Sequence, residues 1–255
     1  MPSRKGVAGA PSAMETMTKI FILHGWTYQT DTWQPLLAML RERGLDVELL
    51  QIPGLTDGTN PVWTLDDYIE WLKEKTAAYD KVILIGHSNG GRISLAFAAM
   101  YPEKVERLIL EDSAGIPARG LRALKRDVFK VVAKAGGIFT KSATLRRILH
   151  KIARENDYQK ATPEMRQTMT NLGSVDFSPI FERVVVPTLI IWGEFDTTTP
   201  LAAGKHMHEK IRKSRFVVIP GARHSPHITH TRELADFITK DLSSGGGSAS
   251  GGKQQ

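Results

Sequence analysis

Short, continuously apolar runs alternate with stretches of helical period along most of the chain. Residues 19–23 (KIFIL) read as a buried strand. A helix is predicted over 32–43, with Trp33, Leu36, Leu37 and Leu40 on one face. Residues 46–52 read as a second strand and 65–78 as a helix. Thr64 can cap that helix, with Asp67 three residues on as the reciprocal acid. A third strand over 81–86 (KVILIG) leads into a helix over 90–100, stopped by Pro102. Further strands are predicted over 105–110, 188–192 (TLIIW) and 215–219, and a last helix over 232–242. Apolar strands that lack inside/outside alternation, each followed by a helix, predict a mainly parallel sheet covered on both faces. The expected class is therefore α/β, with about six strands. Such sheets carry their chemistry at the carboxyl ends of the strands.

Three regions depart from this rhythm. Residues 1–17 are small and polar, without a period, and read as a disordered leader. Residues 243–255 (SSGGGSASGGKQQ) form a Gly/Ser tract that cannot bury a core. Residues 116–182 have helical periods and no clear strand, so they are expected to loop out between the fourth and fifth strands as a helical lid. The core would then consist of 18–115 and 183–242.

Composition narrows the chemistry. The 255 residues include no cysteine, which removes disulfides, thiolate metal sites and cysteine nucleophiles together. No apolar run approaches the ~18 residues that span a bilayer, and the expectation is a soluble, cytoplasmic protein. The net charge of +7 is concentrated: residues 116–160 hold 12 Lys and Arg against 3 Asp and Glu. Apolar positions there, such as Leu121, Leu124, Val128, Val131 and Val132, have helical spacing. The apolar stripe can pack on the body with its charges in water. Alternatively, the basic face can meet an anionic substrate, an acidic carrier protein or an anionic surface. No recognition module for nucleic acid accompanies the charge.

The third strand runs directly into Gly86-His87-Ser88-Asn89-Gly90-Gly91. A G-x-S-x-G between a strand and a helix is a sharp turn that strains the serine backbone and lifts its hydroxyl above the sheet. Gly86 and Gly90 are required because side chains there would strike neighbouring elements. Ser88 needs a base, and the base needs an orienting acid. Asp196 follows the fifth strand and His224 the sixth, which supplies both at carboxyl ends. Asp112, at the end of the fourth strand, is the alternative acid. His227 and His230 near the last helix read as exposed or capping, His206 and His208 as a poor metal pair, and His150 as a surface residue. The backbone N–H groups of Trp26 and Asn89 are the expected oxyanion donors. Gly25, Trp26 and His87 are the expected substrate contacts, with His87 also packed beside the sheet. No metal or organic cofactor is required by this chemistry.

HGW at 24–26, GHSNGG at 86–91, YPEKVERLILEDSAG at 101–115, PTLIIWGEFDTTTP at 187–200 and PGARHSPH at 220–227 together resemble the α/β-hydrolase superfamily. The likeness covers about residues 18–242 and is more specific for the superfamily than for a substrate. HGWTYQTDTW and ARHSPHITH are also similar to the pimeloyl-carrier methyl ester esterases of biotin synthesis. Two features depart from the family pattern. The antiparallel hairpin that usually precedes the His-Gly strand has no room here beyond the leader. Asn89 also stands where an apolar residue is more usual. The resemblance implies a serine hydrolase acting on carboxylic esters through an acyl-enzyme. Hydrolysis of a carbon–carbon bond, an amide or a lactone, perhydrolysis, or a non-enzymatic ligand receptor are the alternatives. Relatives that open epoxides or remove halogens carry Asp at the position of Ser88, so that chemistry is not expected.

Overall fold

The structure is a computed structural model, and it describes residues 18–57, 61–116 and 161–244. The strands are β1 (Lys19–Leu23), β2 (Val47–Leu49), β3 (Val82–His87), β4 (Val105–Glu111), β5 (Thr188–Gly193) and β6 (Ser214–Ile219). They form one sheet in the order β2-β1-β3-β4-β5-β6, with every neighbouring pair parallel. Helices α1 (Gln34–Glu42), α2 (Leu65–Thr76) and α3 (Asn89–Met100) connect the first strands. Helices α4 (Pro163–Ser174) and α5 (Ser178–Phe181) precede β5, and α6 (Leu201–Lys210) joins β5 to β6. Helices α7 (Pro226–Thr229) and α8 (Thr231–Ser243) close the described chain.

The apolar strands make two cores, one on each face. Phe21, Leu23, Leu84, Leu108, Leu110, Ile190 and Trp192 pack with residues of α2, α3, α5 and α6. Their neighbours in sequence, Ile20, Ile22, Ile83, Ile85, Ile109, Leu189 and Ile191, pack with α1 and α8. Successive side chains point to opposite faces, so a strand buried on both sides must be apolar at every position. That requirement is why these strands show no alternation.

Helix ends follow the local chemistry. Thr64 Oγ1 accepts from the Asp67 N–H, and the Asp67 carboxylate accepts from the Thr64 N–H at 2.7 Å, which completes the expected capping box. The helix expected over 32–43 begins as a 3₁₀ turn (Asp31–Trp33) before α1. The second strand is shorter than the expected 46–52, although its ladder runs past its ends. Ile20 N–H donates to the Asp46 carbonyl and Leu50 N–H to the Ile22 carbonyl. Pro53 and the turn after it end the pairing there.

The expected leader, most of the tail, His150 and the basic helices of the lid lie outside the described residues. The described part of the lid region, 161–182, is helical in α4 and α5. Among the described residues, no helix is long and apolar enough to cross a membrane.

Candidate active site

Ser88, Asp112, Asp196 and His224 lie at the carboxyl edge of the sheet, because parallel strands point their ends the same way. At the end of β3 the chain turns sharply. Ser88 has φ 52° and ψ −113°, in the strained region that a strand-to-helix nucleophile turn imposes. Neither flanking glycine can carry a side chain. A Cβ at Gly90 would lie 2.1 Å from the Leu23 carbonyl oxygen, and one at Gly86 2.6 Å from the Gly91 Cα.

His224 Nε2 lies 3.0 Å from Ser88 Oγ, and His224 Nδ1 lies 2.8 Å from Asp196 Oδ2. This geometry fits an imidazole that donates from Nδ1 to the carboxylate and accepts the serine proton at Nε2. Asp196 is buried and well held. Its Oδ1 accepts from the N–H groups of Thr198 (2.7 Å) and Thr199 (3.0 Å), and the Thr199 hydroxyl lies 2.5 Å from Oδ2. Burial pushes its carboxyl up. The charge of His224, with hydrogen bonds from His224 and Thr199, outweighs burial and holds it below the usual carboxylate value.

Asn89 is the first residue of α3, whose leading N–H groups have no partner within the helix. The helix end therefore favours negative charge beside Ser88. Gly25 runs close to the serine: a Cβ there would sit 3.0 Å from Ser88 Cβ. Trp26 follows it and packs, half-buried, against the core.

His87 is buried, and its Nε2 lies 2.7 Å from the His224 carbonyl oxygen. Its ring also meets those of Trp33, His224 and His227. These contacts hold the His87 ring among side chains at the carboxyl edge. Burial lowers its imidazole to about 3, against a smaller pull from Glu111, and so keeps it neutral. His24 is likewise lowered to about 4, chiefly by burial.

The reading of His227 as exposed or capping is overturned. It is buried, stacked on Trp33 at 3.9 Å between ring centroids, and paired with Glu111. Glu111 Oε1 accepts from both the Nδ1 and the backbone N–H of His227, each at 2.8 Å. Burial raises the Glu111 carboxyl, but the His227 and His87 imidazoles and these bonds hold it below its ordinary value. Glu111 was not singled out in the sequence. A signal was present, since two consecutive acids end a strand that is otherwise apolar, and buried carboxylates need partners.

Asp112, the alternative acid, is also buried and lies beside Asp196 and His224. One donor atom from each of these three falls within 4.8 Å of the others, as happens again for His87, Glu111 and His227. Either set has metal-ligand chemistry. In both, the imidazole and carboxylate atoms are already bonded to one another. His206 and His208 sit on α6, where His208 bonds Ser214 and His206 neighbours Glu209.

A six-stranded parallel sheet with a strained serine at the end of its third strand, facing a histidine and an acid from later strands, defines a class of α/β hydrolytic enzyme. The chain belongs to the alpha/beta hydrolase fold family, whose model matches residues 19–231. It is 27% identical to a Bacillus subtilis (strain 168) protein provisionally named 2-succinyl-6-hydroxy-2,4-cyclohexadiene-1-carboxylate synthase, across 92% of each chain. It is 25% identical to the pimeloyl-[acyl-carrier protein] methyl ester esterase of Aeromonas hydrophila, over 86% of this chain and 93% of that one. Its fold matches that of a thermophilic esterase from Thermogutta terrifontis with a TM-score of 0.67, at 23% identity over 90% of each chain.

Proposed function

We propose that the protein is a serine esterase that cleaves carboxylic esters through an acyl-enzyme. The observation that carries this reading is the hydrogen-bonded line from Ser88 through His224 to Asp196. Ser88 Oγ attacks the ester carbonyl carbon while His224 Nε2 takes its proton. Asp196 keeps the imidazole in the tautomer that can accept it and stabilises the imidazolium. The N–H groups of Trp26 and Asn89 hold the developing oxyanion. His224 then passes the proton to the leaving alcohol oxygen. Water, deprotonated by the same nitrogen, releases the acid and restores Ser88.

The Aeromonas relative is named for a carrier-linked methyl ester. The positive excess of residues 116–160 suits an acidic carrier presenting such an ester. A second reading keeps the triad and changes the bond cleaved or formed. It is favoured by the Bacillus relative, whose name is that of a synthase, so likeness at this level spans more than ester hydrolysis.

Hydrolysis of p-nitrophenyl esters from acetate to decanoate, wild type beside Ser88→Ala, tests the proposal. Wild-type turnover should fall by about 10⁴-fold or more in the variant, to the residue left by the oxyanion hole and binding. Turnover that survives in Ser88→Ala overturns the serine mechanism. A wild type inert on every ester, yet labelled at Ser88 by a fluorophosphonate, favours the second reading.

A further inference from the structure

Strand β4 ends in two buried acids, and their surroundings differ. Glu111 has a buried oxygen, Oε2, that meets no donor among the described residues, but its Oε1 has an imidazole partner, accepting two bonds from His227. Asp112 Oδ1 accepts from the Gly193 N–H at 2.9 Å, but its Oδ2 is buried and meets no donor among the described residues. An anionic Asp112 would leave charge on that oxygen, in the core, beside a second carboxylate. That is the costliest arrangement a buried acid can adopt.

The backbone holds the carboxyl in this place at some strain. Asp112 has φ 43°, in the left-handed region. Its N–H donates to the Ile191 carbonyl, and its own carbonyl lies 3.0 Å from the Thr199 hydroxyl. Meanwhile Asp196 is surrounded by donors: the N–H groups of Thr198 and Thr199, and Nδ1 of His224. Those donors fix Asp196 as the anion. Two buried carboxyls within 4.8 Å do not both ionise, so a proton belongs on Asp112.

Resting on the triad reading above, we propose that Asp112 and Asp196 form one acid unit that shares a single proton. Asp112 is its neutral positioning residue, and its Oδ2–H donates to the Asp196 carboxylate. Burial, and then the charges of Asp196 and Glu111, push the Asp112 carboxyl well above the ordinary value, in the direction this arrangement needs. The ionisable groups facing Asp112 are Asp196, Glu111 and His224, with His87 and His227 packed beyond Glu111 and His224. The unit carries one negative charge next to His224. If Asp196 is neutralised, the charge passes to Asp112, which already lies within reach of the imidazole.

The test is the rate of covalent labelling by a fluorophosphonate across about pH 5 to 9, which reads His224 through the reactivity of Ser88 without a known substrate. Asp112→Leu loses the donor and should label about tenfold more slowly or worse. Asp112→Asn keeps an acceptor for Gly193 and a donor for Asp196. It should recover to within about threefold of wild type, with the acid limb moved by less than about 0.3 pH units. A limb that moves down by about one unit in Asp112→Asn means that a negative charge has been removed from beside His224, and overturns the proposal. Wild-type labelling in Asp112→Leu overturns it too. In the Asp196→Asn background, keeping Asp112 should leave labelling about tenfold faster than in the double variant with Asp112→Asn, and equal rates count against the shared unit. The Asn profile and this pair decide the matter even if the Leu variant does not fold. Ser88→Ala is the control. If it labels as fast as wild type, the triad reading falls and takes this proposal with it. If it does not label and the Asp112 results fail, only the shared proton falls.

Discussion

At the residue scale, the legible positions were those where geometry leaves one option. Ser88 between Gly86 and Gly90 could be read because a strand-to-helix turn excludes side chains on both sides. The distance from a Gly90 Cβ to the Leu23 carbonyl shows how firmly. Gly90→Ala sets a methyl carbon against backbone that cannot rotate away. We expect a loss of about 1–3 kcal/mol in unfolding free energy, typical of overpacking, measured by urea titration. Fluorophosphonate labelling should fall with it, because relief of the clash must move the turn that carries Ser88. A variant of unaltered stability would show that the β1 loop yields there, contrary to the packing. His227 and Glu111 were not legible in the same way. The paired acids at the end of β4 mark Glu111 as needing a partner, but only the docking of α7 against that strand end makes His227 the partner. The acid was legible only as a choice, since Asp112 and Asp196 both end strands. The structure brings the two together rather than selecting between them on position alone.

At the element scale, the strands declared themselves through continuous apolarity, and the helices through caps and periods. The ends were less legible, because they depend on neighbours. Edge strand β2 is cut short by the turn at Pro53, and α1 starts through a 3₁₀ turn that buries Trp33. The cap of α2 was legible in full, since Thr64 and Asp67 need no tertiary partner to bond each other. Thr64→Ala removes the acceptor for the Asp67 N–H and should cost about 1 kcal/mol in a urea or thermal titration. Thr64→Ser should recover most of the loss. An alanine variant as stable as wild type would mean that tertiary contacts alone hold the start of α2. One such contact is the Trp63 N–H donating to the buried Thr168 hydroxyl of α4 at 2.8 Å. Labelling at Ser88 should be spared by either change, because α2 supplies no residue to the Ser88–His224–Asp196 line.

For the whole molecule, the titratable groups buried at the carboxyl edge tie stability to pH, and sequence could not show this because it depends on burial. His24 and His87 keep imidazoles that the fold lowers to about 4 and about 3. Above pH ~6.5 neither state binds protons at these sites and stability is intact. As pH falls below that value the unfolded chain takes up protons that the folded chain refuses, so stability is lost until the folded values are reached. Asp112, raised rather than lowered, works in the opposite direction: its burden is relieved as the pH falls toward the ordinary carboxylate value. The wild-type curve therefore mixes opposing contributions, and a single-site difference is the cleaner measurement. His24→Asn cannot gain a proton in either state. Its loss of the Nε2 contact to Thr56 is the same at every pH above about 5. Relative to wild type, the variant should therefore gain about 2 kcal/mol between pH 7 and pH 5, read from urea unfolding at each pH. A constant difference across that window would mean that His24 is protonated as readily in the folded chain as in the unfolded one. Its full burial between Gly25 and Thr56 would then have to open in solution.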